Sequence, residues 1–373
     1  MHRKIYSLDY VLIFFVLAVS IVGIVTIGST TQINVNGIKG NFLNQILWLI
    51  SGIFLMVLFT FLDYKKITKL YIPIYLFNIL LLILVLLIGN EDRGVRRWIF
   101  GIQPSEFAKI FTIIYLSKLV DKFKEKINNI SIVALIAVAV IIPVALIKMQ
   151  PSLSASMVLL AIFVTEMFVG NIGSRYIKVA LIAVISLIAV VYLDAVSSEH
   201  RILSLFMDDY QISRIVEYIH SDFSSPDFYQ TKNSIWAIGS GQLTGKGLFK
   251  GTINQLSYLP DSHNDFIFSV IGEEFGFIGC LVVLIFMFVI ISRCINIAIN
   301  AEDFLGTLIA GGVAGMIAFQ TFINVGVATG LLPNTGMPFP FLSYGGSSMW
   351  ANMIAIGLVL NVGITKQKNI FQG

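Results

Sequence analysis

Ten apolar runs, most of them long enough to cross a bilayer as helix, recur along this chain: about 9–28, 43–62, 70–89, 104–120, 130–148, 154–170, 176–193, 266–293, 303–325 and 346–365. A hydrocarbon core takes roughly 20 such residues per helical span. Inside it every backbone N–H and C=O must find a partner within the structure, which leaves helices or a closed barrel. Uninterrupted runs of this length read as helices. Those at 104–120 and 154–170 are shorter and each carries an acidic residue, so their signal is the weakest. Hydrophobic residues make up 57% and charged residues 12%, against about 25% charged in a soluble domain. The expected fold is an all-α polytopic membrane protein with about ten transmembrane helices.

Lysine and arginine in the short loops set the orientation. Fourteen lie in segments on the N-terminal side of the membrane, against Lys39, Arg93, Arg96, Arg97 and Lys148 opposite. Both termini are therefore expected in the cytoplasm, with one large extracellular loop between helices 7 and 8. The domain plan is helices 1–7 over 1–193, the loop over 194–265, and helices 8–10 over 266–373. The first run lacks a small-residue cleavage site and reads as a retained span. The net charge of +4 comes from cytoplasmic loop lysines and implies no nucleic-acid partner. Cys280 and Cys294 lie some 21 Å apart if helical, too far for a disulfide.

Within the loop, residues 205–220 have rough helical spacing and fit a helix lying in the interface plane. Gly239-Ser-Gly-Gln-Leu-Thr-Gly-Lys-Gly247 is glycine-rich but lacks the Ser or Thr of a P-loop after Gly-Lys; turns and a phosphate cradle both remain open. Residues 326–349 carry no charge at all. Non-helical backbone this apolar belongs inside protein or along a cavity, so a re-entrant segment is expected, with a loop resting on the membrane as the alternative.

Ionisable groups at membrane depth default to functional hypotheses. Glu106 and Lys109 share a helix face at i,i+3, as a structural ion pair or a working one. Arg93, Arg96, Arg97 and Trp98 stand outside against the positive-inside trend, where arginine forks suit phosphate oxygens; interface anchoring is the plainer role. Asp261, His263 and Asp265 precede a long apolar helix that also carries Glu273 and Glu274. Glu166 reads as a buried hydrogen-bonding partner.

Four stretches together resemble one family. They are Val95-Arg-Arg-Trp-Ile with Gln103-Pro-Ser-Glu-Phe-Ala-Lys109; Ile238 to Gly247; Leu259 to Glu274; and Gly330-Leu-Leu-Pro through Phe341-Leu-Ser-Tyr-Gly-Gly-Ser347. The chain is similar to the shape, elongation, division and sporulation family of bacterial membrane proteins, which includes RodA, FtsW and SpoVE. The resemblance implies a multi-pass protein of the bacterial cytoplasmic membrane, a peptidoglycan glycosyltransferase that polymerises lipid II outside it. It also implies a class B penicillin-binding protein as partner. The family's essential acid falls on Asp265, its external Arg-Trp motif on Arg97 and Trp98, and its membrane pair on Glu106 and Lys109. This chain departs from the family at Gln150-Pro151-Ser152, where relatives usually have Gln-Pro-Asp; serine keeps a hydrogen bond but not the charge. Asn264 follows His263 where relatives often have Thr.

The chemistry fits these residues. Glycan extension needs a base for the acceptor hydroxyl, for which Asp265 is the candidate. Positive charge for the departing lipid pyrophosphate falls to Arg96 and Arg97, with Lys246 and Lys109 as further cations. Trp98, Glu106, Glu273 and Ser343 complete the expected substrate-binding set. No cofactor is required; a divalent cation on oxygens of Asp261, Asp265 and Glu273 is left open. The alternative function is a transporter, or flippase, of the lipid-linked precursor, with Glu106, Lys109 and Glu166 lining its path.

Overall fold

The computed structural model describes all residues except 1–7, 31–37, 93–94, 198–202, 207–208, 221–225, 257, 260–261 and 371–373. Among the described residues ten helices have 17 residues or more. The first seven are α1 (Tyr10–Thr30), α2 (Ile38–Phe61), α3 (Tyr71–Ile88), α4 (Pro104–Phe123), α5 (Ile130–Lys148), α6 (Leu153–Val169) and α7 (Ser174–Val196). Shorter α8 (Asp209–His220) and α9 (Pro226–Ser240) follow, then α10 (Ile267–Ile299), α11 (Phe304–Ala328) and α12 (Gly346–Ile370). Eight of the ten are long and apolar enough to span a membrane. The two that fall short are the two weak runs of the sequence: α6 has only 17 residues, and α4 carries Glu106, Lys109, Lys118, Asp121 and Lys122.

Burial sorts the helices. The spanning windows of α11 and α12 are 72% and 83% buried, whereas that of α7 is 11% buried. The first two are the core of the bundle and α7 lies at its margin. α11 begins where Asp303 caps it, its carboxylate accepting from the Gly306 N–H at 2.8 Å, which satisfies one of the donors a helix start leaves orphaned.

Cross-links sort the connections into two faces. On one, Lys65 meets Glu302 and Asp303, Arg293 meets Asp9, and the Gly173 N–H reaches Asn128. On the other, Arg97 reaches Gln150, and the N–H of Gln103 reaches Ser347. The second face also holds a feature the sequence did not announce. Strands β1 (Asn90–Asp92) and β2 (Val95–Trp98) pair as an antiparallel hairpin between α3 and α4. Strands this short and charged show no alternating pattern to read.

Helix α10 is broken. Gly276 has φ 67° and ψ −164°, which interrupts the helical ladder. The glycine-rich segment repairs it: the N–H groups of Lys246 and Gly247 donate to the Glu273 and Glu274 carbonyls, both at 3.0 Å. In return, Phe277 and Ile278 donate to Gln242 and Leu243, at 2.8 and 3.1 Å. Gly245, at φ 78°, approaches so closely that an added Cβ would stand 2.1 Å from the Glu274 carbonyl oxygen. These glycines serve a backbone plug in a broken helix.

Residues 329–345 leave α11 without helix and re-enter at α12. Met337, Phe339, Phe341 and Leu342 are buried, so this uncharged stretch lies inside protein. Leu342 packs on the backbone of α1 at Gly23, seven residues, or about 10 Å, short of that helix's end. Helix α8 covers the same stretch: Arg214 and Tyr218 donate to the carbonyls of Asn334 and Leu331. Ile212, Ile215 and Ile219 of α8 pack with Ala195 and Leu203, so the apolar side chains described in this helix are spent on protein.

Candidate active site

Asp265 lies in the turn just before α10. Its backbone carbonyl accepts from the Asn324 side-chain amide at 2.9 Å, and the same amide nitrogen donates to the Met337 carbonyl at 2.7 Å. One buried residue of α11 therefore holds both the acid's turn and the uncharged loop. Gly336 faces the carboxylate, and a Cβ there would sit 3.4 Å from Asp265 Oδ2.

Ser343 closes the same turn. Its hydroxyl accepts from the Phe339 N–H at 2.8 Å and donates to the Asn264 carbonyl at 2.6 Å. The neighbouring Tyr344 N–H donates to the His263 carbonyl at 2.9 Å, and its ring meets that of His263 edge-on with centroids 5.5 Å apart. Gln45 of α2 clamps the far side, donating to the Ser343 carbonyl and accepting from the Gly345 N–H. Asp261 lies outside the described residues.

Arg97 comes from β2 and is half-buried. Its Nε donates to the Gln150 carbonyl at 3.0 Å, and Nη2 donates to the Pro151 carbonyl. Burial holds the guanidinium pKa below its ordinary value, and the Asp265 carboxylate acts in the opposite sense. The two groups thus feel each other's field. Arg96 is exposed and Trp98 half-exposed; Arg93 lies outside the described residues. Ser152, at the departure from the family pattern, is buried at the start of α6, directly after the two carbonyls that Arg97 binds.

The remaining candidates form separate clusters. Lys246 Nζ pairs with Glu273 Oε1 at 2.7 Å and donates to Thr252 Oγ1 at the same distance. Glu273 also accepts from the backbone of Ile253 and Asn254, so both its oxygens are engaged away from Asp265. Glu106 and Lys109 are buried and paired at 2.7 Å. Glu166 accepts from Ser117 at 2.8 Å. Among the described residues no three His, Cys, Asp or Glu side chains gather as a metal site.

Sequence reasoning missed Asn324, Gln45, Gly336 and Tyr344. For the two amides a signal existed, since each is an uncharged polar side chain within an apolar run. Gly336 and Tyr344 lie in the 330–347 stretch that carries the family resemblance, but only the folded loop sets them beside Asp265 and His263.

The arrangement matches known proteins over almost its full length. The cell cycle protein family of FtsW, RodA and SpoVE matches residues 9–368. The probable peptidoglycan glycosyltransferase FtsW of Trichlorobacter lovleyi is 33% identical over 95% of this chain and 92% of its own. The peptidoglycan glycosyltransferase RodA of Treponema pallidum is 30% identical over 96% of this chain and 98% of its own. A chain solved in work on structural coordination of polymerization and crosslinking by a peptidoglycan synthase complex superposes with a TM-score of 0.79 at 28% identity, covering 96% of this chain and 98% of that one. The resemblance read from the four sequence stretches is borne out, and this multi-pass bacterial membrane protein belongs to the FtsW, RodA and SpoVE family.

Proposed function

We propose that this chain is a peptidoglycan glycosyltransferase that polymerises lipid II into glycan strands at the outer face of the cytoplasmic membrane. The observation that carries the reading is one carboxylate, Asp265, set in the field of Arg97 and held between α10, α11 and the buried loop. The names of the FtsW and RodA relatives support the activity. Both termini lie in the cytoplasm in this reading, which places the Asp265 face outside.

Asp265 takes the proton from the 4-hydroxyl of the acceptor sugar as that oxygen attacks the donor's anomeric carbon. The anomeric bond to the lipid pyrophosphate breaks with inversion, and the charge that develops there falls to Arg97 and Arg96. Trp98 flanks them at the lipid interface. Ser343 sets the Asp265 turn. Lys246 and Glu273, committed to each other, shape the wall beside the broken helix. Glu106 and Lys109 brace the start of α4. A class B penicillin-binding protein supplies crosslinking, in keeping with the synthase complex from which the structural neighbour comes.

The test is purified protein, with and without that partner, given labelled lipid II. Long glycan chains are expected from the wild type and none from folded Asp265→Asn. Normal polymerisation by that variant would remove Asp265 from its role. Movement of lipid II across a sealed bilayer without polymerisation would favour the transporter reading.

A further inference from the structure

The face opposite Asp265 carries a second concentration of charge. Three connections meet there: 62–70 between α2 and α3, 123–130 between α4 and α5, and 170–174 between α6 and α7. The turn at Thr68–Leu70 packs on α4, and the rings of Tyr71 and Tyr115 lie 5.7 Å apart, about two helical turns before α4 ends. Asn128 joins the other two: its side chain accepts from the Gly173 N–H at 2.5 Å, and its carbonyl accepts from the Tyr176 hydroxyl at 2.8 Å. One continuous surface results.

Its cations are Lys66, Lys69, Lys122, Lys124, Lys126, Arg175 and Lys178, all exposed. Their anionic counterparts are few. Asp121 pairs with Lys118, while Glu302 and Asp303 pair with Lys65. Among the described residues of these connections that leaves Asp63 and Glu125 as the carboxylates with no cation on them.

Apolar side chains fix the depth of this surface. Leu62, Leu70, Ile72 and Ile130 are all exposed, from 43% to 66%, and each is within a few residues of a lysine. On the ends of spanning helices these side chains meet acyl chains, which leaves the lysines at the level of the headgroups. Each such cation adds to the attraction for an anionic leaflet.

The geometry points to this surface as a binding site for anionic phospholipid headgroups, bridging the ends of α2, α4 and α6. It rests on the reading of these helices as membrane spans and is independent of the chemistry at Asp265. An acidic soluble protein would have to displace the headgroups already at that level.

Native mass spectrometry of the detergent-purified chain, titrated with phosphatidylglycerol or phosphatidylcholine of the same acyl chains, tests the site. The wild type is expected to hold phosphatidylglycerol at least about tenfold more tightly. Lys66, Lys69, Lys122, Lys124 and Lys126 changed together to Gln should abolish that preference, and the same five changed to Arg should keep it. Should the Gln variant fail to fold, loss of the wild-type preference between low and 0.5 M salt takes its place. Equal affinity for the two lipids, the result if the surface serves an acidic protein, overturns the proposal. So does a preference that survives in the Gln variant or in high salt. Labelling of Lys124→Cys by an impermeant maleimide in vesicles of known sidedness tests orientation separately, since native Cys280 and Cys294 are buried.

Discussion

Asn324 holds Asp265 in place by its backbone: the side-chain amide nitrogen, buried in α11, donates to the Asp265 carbonyl at 2.9 Å and to the Met337 carbonyl at 2.7 Å. The bond engages the acid's main chain rather than its carboxylate and fixes where the chain turns into α10. It also ties the acid to the uncharged loop, so movement of either is felt by the other.

Asn324→Leu keeps the volume and removes both bonds. The buried Met337 carbonyl then loses a donor, at about 1–3 kcal/mol, and the half-buried Asp265 carbonyl loses one at a smaller cost. Polymerisation should fall about tenfold or more, mainly in kcat, with the KM for lipid II moving little because no substrate contact is removed. A variant that loses thermal stability but keeps wild-type kcat would reduce Asn324 to a structural bond.

The fold was legible because hydrocarbon imposes one rule on every span, and α1 obeys it with neither a charge nor a proline. The site was legible only where chemistry is local to the sequence. Asp265, Arg97 and Ser343 belong to motifs; Ser343 bonds the turn that holds Asp265, whereas Arg97 bonds the Gln150 and Pro151 carbonyls and reaches Asp265 only through its field. Lys246 and Glu273 read as substrate groups because each is an ionisable side chain beside a glycine-rich turn or an apolar helix. Their mutual pairing depends on the break at Gly276, and nothing in a run of apolar residues announces that one glycine will leave the helical region. Asn324 was passed over for the opposite reason, as a neutral amide among apolar neighbours.

Arg97→Lys should be far from conservative. The guanidinium binds the Gln150 and Pro151 carbonyls through two different nitrogens, a fork that an ammonium cannot reproduce. Retaining the charge but losing the placement should cost about 1.5–3 kcal/mol in kcat/KM, some ten- to hundredfold. Wild-type kcat/KM with lipid II in Arg97→Lys would show that charge alone suffices there.

Gly245→Ala should prevent the plug from seating. Its positive φ costs an L-residue about 1–2 kcal/mol, and its new methyl would also meet the Glu274 carbonyl at 2.1 Å. Gly247→Ala shares the positive φ, but its nearest neighbour is the flexible end of Lys250 at 3.5 Å. Melting temperatures in detergent should therefore fall much further for the first variant. Equal losses would mean that the close docking on α10 contributes nothing.

Asp303 gives stability a pH dependence on the face opposite the site. Burial alone would raise its pKa, but the Gly306 N–H, the Tyr64 hydroxyl and Lys65 outweigh it and hold the carboxyl below the ordinary range. A carboxylate lowered in the folded state stabilises above its unfolded value, about 3.9, and the gain fades as pH falls through the folded value. Asp303→Asn keeps a competent helix cap and removes the charge. It should melt lower than wild type at pH 7, by about 0.2–1 kcal/mol for so exposed a pair. The gap should narrow below about pH 4. A gap unchanged by acid would assign the loss to packing instead.

The pair of Glu106 and Lys109 separates bracing from substrate contact. Lys109→Met leaves a buried carboxylate without its cation, at a cost of about 3–5 kcal/mol, and should yield little folded protein. Glu106→Gln with Lys109→Met removes both charges and should recover most of that loss, because the buried pair's attraction is largely offset by its desolvation. The double variant's activity then decides the role. If it folds and polymerises lipid II within a few-fold of wild type, the pair braces α4 below the hairpin that precedes it. A folded but inactive double variant would bring these charges into the substrate site.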